Sequence, residues 1–234
     1  MVVDLNADVG EGAGADAALI PLVTSVNIAC GFHAGDTQTM RAACEAAVAA
    51  GATIGAHISY RDREGFGRRA LPVPAETVAM EAVEQIEALH AAATSAGGRV
   101  AYVKPHGALY HRASSDRECA AGLAAVAETG RLAVVGFPGS ALLACARQAG
   151  LLAVPEGFAD RAYAADGTLV PRTEPGAMLA TEAAARQAVA LAEGRLGGEV
   201  RSICIHSDTS DAAALAEQVR AALASARVDV RAFA

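Results

Sequence analysis

Short apolar runs of strand length recur along the chain, and alanine-rich stretches of helical period separate them. Val2–Asp8, Ser25–Cys30, Thr53–Ser59, Val100–His106, Leu132–Phe137, Leu151–Pro155, Ile203–Asp208 and Val228–Phe233 read as strands, several of them β-branched and bounded by glycine or proline. Between them, Asp36 caps a helix over Thr37–Ala50 that Gly51 ends, and Ser115 with Glu118 forms a capping box ahead of Cys119, Leu123 and Val126, with Gly130 as the stop. A helix after Pro74 sets Ala79, Val83 and Ile86 on one face and ends at Gly97 and Gly98. The last helix begins at Ser210 or Asp211 and repeats Leu215, Val219 and Leu223 every four residues.

Strands alternating with helices call for a mostly parallel sheet with helices outside it. Seven or eight units leave roughly 30 residues each, the spacing of a closed (β/α) barrel. An open doubly wound sheet competes, but it gathers ligand groups at a switch point from two or three strands. Here polar groups stand at the C-terminal ends of at least five strands. The expectation is a single (β/α) barrel of seven or eight parallel strands spanning residues 1–234, without linker, repeat or low-complexity segment.

Composition narrows the function classes. The chain has 234 residues, 53% hydrophobic and 19% charged, enough to bury a core. Nineteen basic against 26 acidic side chains give −7, which argues against general nucleic-acid binding. No apolar run of membrane length and no basic amphipathic helix is seen, and the N-terminus lacks the basic and apolar segments of a signal peptide. Five cysteines without a C-x-x-C pair suggest reduced thiols and a cytoplasmic protein. Cys44 and Cys119 fall on apolar helix faces, whereas Cys30 sits within a polar cluster.

Four clusters carry chemistry. Asp4, Asn6 and Asp8 alternate with Val3, Leu5, Ala7 and Val9, so the strand puts three polar groups on one face. Burying them demands a ligand, a cation or basic partners. Asn27, His33 and Asp36 lie in a strand–loop–helix segment whose helix start offers N–H groups to an anion. His57 and Ser59 share a strand face before a loop with Arg68 and Arg69. Lys104, held extended by Pro105, shares a face with Tyr102 and His106, as a site for an anionic or carbonyl ligand would. Glu156, Asp160, Arg161, Arg172, His206 and Asp208 follow at later strand ends, while His90 and His111 look peripheral. Gly10–Gly14 could form a flexible phosphate loop, and no P-loop, H-E-x-x-H or G-x-S-x-G motif occurs.

In that order, Asp4-Leu-Asn-Ala-Asp-Val-Gly-Glu-Gly12, Asn27-Ile-Ala-Cys-Gly-Phe-His-Ala-Gly-Asp36, Val103-Lys-Pro-His-Gly-Ala-Leu-Tyr110 and Phe158-Ala-Asp-Arg-Ala-Tyr163 resemble the LamB/YcsF family, the A subunits of bacterial 5-oxoprolinase. The likeness runs from Asp4 to about Asp208. Two departures stand out: Ile58 and Arg61 replace prolines of the family's usual Pro-Ser-Tyr-Pro after His57, and His206-Ser207-Asp208 replaces a usual His-Gly-Asp.

The resemblance implies a barrel related to the polysaccharide-deacetylase architecture. It also implies ATP-dependent opening of the 5-oxoproline (pyroglutamate) lactam to L-glutamate, together with the B and C subunits. On that footing Lys104, Arg68 and Arg161 are candidates to neutralise a transferring phosphoryl group, and Arg172 to pair with the substrate carboxylate. Asp8, with Asp4 nearby, is a candidate to hold Mg²⁺ with ATP or to act as base, and His57 and His106 to move protons. Replacing Lys104 by Met is expected to abolish ATP-linked turnover and leave the fold intact. Two other readings stay open: a metal-dependent deacetylase or amidohydrolase, with Asp8, His57 and His106 on a divalent metal and no ATP, and a module that only binds the lactam.

Overall fold

In the computed structural model, which describes residues 1–206 and 211–234, seven parallel strands form a closed ring: β1 (Val2–Val9), β2 (Ser25–Ala29), β3 (Thr53–Ile58), β4 (Val100–Pro105), β5 (Ala133–Gly136), β6 (Ala153–Phe158) and β7 (Ser202–Ile205). Each pairs with the next in sequence, and β1 pairs with both β2 and β7, which closes the barrel and excludes the open sheet. The two-residue β8 (Asp229–Val230) pairs with Val2 and Val3 at the N-terminal end of β1, shorter than the expected Val228–Phe233 and outside the ring.

Eight α-helices join these strands among the described residues: α1 (Asp16–Leu19), α2 (Thr37–Ala50), α3 (Ala75–Ser95), α4 (Gly107–Ser115), α5 (Arg117–Thr129), α6 (Ala141–Gln148), α7 (Thr181–Ala192) and α8 (Ala212–Ser225). Their buried faces meet the outward strand residues, Val3, Leu5, Ala7 and Val9 of β1 with Val26, Ile28, Ile54, Ala56, Ile58, Ile203 and Ile205, in one apolar layer. That layer also holds Cys30, Cys44 and Cys119. Cys30 is therefore a core residue despite its polar neighbours in sequence, and burial pushes its thiol up to about 12.

Several local expectations shift. Asp36 caps α2, accepting from the Thr39 amide, and Gly51 ends it in the left-handed region. The cap of α5 is Asp116, not Ser115: the Asp116 carboxylate accepts from the amides of Glu118 and Cys119, whereas the Ser115 hydroxyl donates back to the His111 carbonyl of α4. The buried face of α3 is Val78, Ala82, Gln85 and Leu89, with Val83 exposed, so the face read from Ala79, Val83 and Ile86 is rotated. β6 runs on to Phe158 instead of stopping at Pro155, because Gly157 lets the strand lie against Leu191 of α7, where a Cβ would come to 2.8 Å. That extension turns Glu156 into the barrel.

Register decides what fills the interior. Asp4 lies beside Ser202, Asn6 beside Ser25 and Cys204, Asp8 beside Asn27, and His57 beside Lys104, so polar side chains form rows across the ring. Lower down, the Tyr102 ring occupies the space over Gly55, where a Cβ would come to 2.1 Å of it, and Phe233 meets its other side with centroids 5.1 Å apart.

Candidate functional site

The inward rows divide into a sealed floor and an open rim. On the floor, Asp4 accepts hydrogen bonds from the hydroxyls of Thr24, Ser25 and Ser202. Asn6 donates to Glu156 at 2.9 Å and to Ser202 at 2.7 Å. Asn27 donates to Asn6 and Asp8, and its own amide oxygen accepts from the Tyr102 hydroxyl at 2.7 Å. All of these but the half-buried Thr24 are buried. Burial, partly offset by the three hydroxyls and reinforced by Glu156, lifts Asp4 from 3.8 to about 6. The sequence-predicted residues Asp4, Asn6 and Asn27 thus support the site from below and do not line the cavity above it.

That cavity, of about 400 Å³, lies over the C-terminal strand ends and falls within the ordinary size of ligand pockets. Asp8, His57, Lys104, His106 and His206 line it from the strand ends, and Arg68, Arg161 and Arg172 line it from loops. His111 joins them from α4, so it is not peripheral. Asp36 serves as a helix cap, and Arg69 turns to the buried Asp62, which also accepts from the Gly65 amide. Asp208 lies outside the described residues.

Lys104 reaches the centre of the barrel top. Its Nζ lies 2.8 Å from Glu156 Oε1, 3.1 Å from Asp8 Oδ1 and 3.1 Å from Cys204 Sγ. Burial opposes its charge, but Asp8, Cys204 and Glu156 outweigh that and hold its pKa well above the usual value. Asp8 is the mirror case: burial pushes it up, yet His57 and Lys104 hold it well below the carboxylate range. Asp8 therefore stays an anion against the cavity.

His206 faces Asp8 Oδ2 at 3.8 Å through Nε2, while its Nδ1 lies 2.9 Å from Asp160. Asp160 is fully buried behind it and also accepts from the His206 amide. Burial would lower this histidine, but Asp160 raises it. The Gln187 amide of α7 donates to the carbonyls of Phe158, Ala159 and Arg161, which fixes the loop carrying Asp160. Gln85 of α3 does the same after β3, exchanging two hydrogen bonds with the Ser59 backbone.

On the opposite wall, His33, His57 and His106 gather round Glu11. The rings of His33 and His106 stack 3.9 Å apart. The loop before α3 straps them down: Phe66 offers its carbonyl to His106 Nε2, and a Cβ on Gly67 would come within 2.9 Å of both His33 and His106. Gly67 is in the left-handed region at φ 66°, which favours glycine. Burial and neighbouring histidines hold His33 and His106 well below the usual value, and burial with Asp8 raises Glu11. Ligand atoms of these four residues lie within 4.8 Å of one another, as do those of Asp8, Cys204 and His206, so both groups have donors that suit a cation.

Sequence reasoning missed Glu11, Cys204, Tyr110 and the clamping glutamines. Glu11 had a signal, since it stands in the first motif three residues after Asp8. Tyr110 had one too, at the end of the Lys104 motif, and its buried hydroxyl has no hydrogen-bond partner among the described residues.

Fold and site together define a parallel (β/α) barrel with acids, a buried lysine and paired histidines at one rim cavity. The LamB/YcsF family model matches residues 3–234, and the chain belongs to that family. It is 52% identical to the A subunit of 5-oxoprolinase from Streptomyces griseus subsp. griseus over the full length of both. It superposes on the crystal structure of a lactam utilization protein from Thermus thermophilus with a TM-score of 0.90 and 41% identity, covering all of both chains. A family 4 carbohydrate esterase from Streptomyces lividans shares the fold, with a TM-score of 0.54 and 16% identity over 100% of this chain and 93% of that one.

Proposed function

We propose that this protein is the A subunit of a multi-subunit 5-oxoprolinase and that its barrel cavity opens the 5-oxoproline lactam to L-glutamate in an ATP-dependent reaction with the B and C subunits. The observation that carries this is Asp8, held as an anion by Lys104 and facing the Asp160-bound His206 across the wall of one cavity. The relatives' names support the substrate.

A lactam is a poor electrophile. Transfer of the γ-phosphoryl group of ATP to the lactam carbonyl oxygen, with ADP leaving, makes C5 attackable. Water then adds at C5 and gives its proton to Asp8. The C5–N bond breaks as the nitrogen takes a proton from His206 and the C5 hydroxyl returns its own proton to that imidazole, leaving γ-glutamyl phosphate, which a second water hydrolyses to glutamate and phosphate. Arg68, Arg161 and Arg172 line the cavity where phosphoryl and carboxylate charge must be balanced. We assign proton handling to His206 in place of His57 and His106, whose outer ring nitrogens lie against the carbonyls of Lys104 and Phe66.

Co-expression with the B and C subunits tests the reading: glutamate and ADP should form from 5-oxoproline in equal amounts. Asp8→Asn should lower turnover by a factor of about 10² to 10⁴. Undiminished turnover in that variant would remove Asp8 from the chemistry. Glutamate formed without ATP and lost on chelation would favour metal-assisted amide hydrolysis at the histidine cluster.

A further inference from the structure

Among the described residues, three that are not glycine have left-handed backbone: Phe66 at φ 54°, Arg131 at φ 51° and Arg227 at φ 58°. Arg131 and Arg227 follow the last turns of α5 and α8. The Arg131 amide donates to the Glu128 carbonyl and the Leu132 amide to Ala127, and the Arg227 and Val228 amides donate to Ala224 and Leu223 in the same way. That is a common exit from a helix. Phe66 closes a single turn by the same two bonds, from its own amide to the Arg63 carbonyl and from Gly67 to Asp62. This turn follows no helix and stands in the loop between β3 and α3.

Glycine takes such a backbone without strain, and a bulky aromatic residue seldom does. A side chain kept there must do something that a hydrogen atom cannot. The Phe66 ring has three ring-face or ring-edge contacts. It meets His33 with centroids 5.6 Å apart and His106 with centroids 5.5 Å apart, both edge-on. The guanidinium of Arg68 lies 4.8 Å from its centroid, a cation–π distance.

The two histidines have other supports. His106 Nε2 lies against the Phe66 carbonyl, which any residue would supply, His33 Nδ1 meets the Ser59 hydroxyl, and Gly67 packs on both rings. Arg68 is different. It is exposed, and it stands where the cavity meets an outer groove along residues 70–73. A long side chain in that place has many rotamers to lose before it can meet a ligand. The half-buried ring, seated on the histidine wall, gives its planar guanidinium a platform beside the cavity.

We propose that Phe66 is a positioning residue whose ring, set by left-handed backbone, holds Arg68 at the cavity mouth for an anionic group of a bound reactant. The inference rests on the lactam reading above, in which that group is the carboxylate of 5-oxoproline or the transferring phosphoryl group.

The test is a double-mutant cycle in the complex with the B and C subunits, read as glutamate formation. Phe66→Ala should lower kcat/KM about two- to fivefold, the worth of an exposed cation–π contact, in a chain whose circular dichroism matches the wild type. Phe66→Tyr, which keeps the ring, should restore it. Arg68→Ala should lower kcat/KM further, and adding Phe66→Ala to that variant should cost nothing more. A raised KM for 5-oxoproline assigns Arg68 to the carboxylate, whereas a raised KM for ATP or a lowered kcat assigns it to the phosphoryl group. Phe66→Gly should melt at a higher temperature than Phe66→Ala, because alanine keeps the backbone strain that glycine removes. Additive losses in the cycle, wild-type kcat/KM in Phe66→Ala, or the reverse order of melting would overturn the proposal and leave the lactam reading standing. A wild-type complex that forms no glutamate would overturn both.

Discussion

Lys104 is charged in a space that solvent barely reaches, and its two carboxylate partners are as buried as it is. Removing the ammonium leaves Asp8 and Glu156 uncompensated in the barrel. Lys104→Met should therefore cost about 3–5 kcal/mol of stability, seen as a lower denaturant midpoint, alongside its loss of turnover. This differs from the sequence-based expectation of an intact fold, because the sequence does not show that Glu156 turns inward. Asp4 offers a cleaner residue-scale test. Its folded value of about 6 lies above the ordinary 3.8, so the folded chain holds that proton more tightly than the unfolded one. The contribution favours folding below pH 4 and is lost as pH rises from 4 to 6, amounting to about 3 kcal/mol. Asp4→Asn should flatten that part of the unfolding free-energy profile; an unchanged slope would assign it to other groups. The alternating polar positions of β1 were legible from period alone. Their division into floor and rim was not, because it depends on hydroxyls donated by Ser25 and Ser202 from neighbouring strands.

At the scale of elements, strand–helix order and most helix ends were readable because capping chemistry is local. Ser115 shows the limit. A capping box at Ser115–Glu118 assumes a loop before the helix, but α4 runs right up to Asp116 and leaves that residue as the extended hinge between two helices. Asp116→Ala should lower stability by about 1 kcal/mol, whereas Ser115→Ala should change it by less than about 0.5 kcal/mol, the usual range for an exposed surface substitution. Thermal melts of the two variants distinguish the assignments. The clamps made by Gln85 and Gln187 were illegible for a related reason. A glutamine on a helix looks like a solvated residue until the strand-end carbonyls it satisfies are placed against it.

Across the whole molecule, ring closure between β1 and β2 brings together residues as far apart in sequence as Asp8, Lys104 and His206. Strand-end polarity pointed to that convergence; the pairing of Glu11 with three histidines required the chain to bend back over β2 and β3. The same closure places all five cysteines, unpaired, in buried positions. The native protein should react slowly with an aromatic disulfide reagent, releasing fewer than one equivalent in the time that the denatured chain releases five. Rapid release from native protein would contradict this packing.

The filled floor has a consequence for how the cavity is reached. Tyr102, Phe233 and the Asp4 network stop the lower half of the barrel, so the cul-de-sac is approached past the arginine-bearing loops. Whatever occupies the cavity then enters and leaves by one doorway, and a partner seated across it would halt traffic in both directions until it lifts.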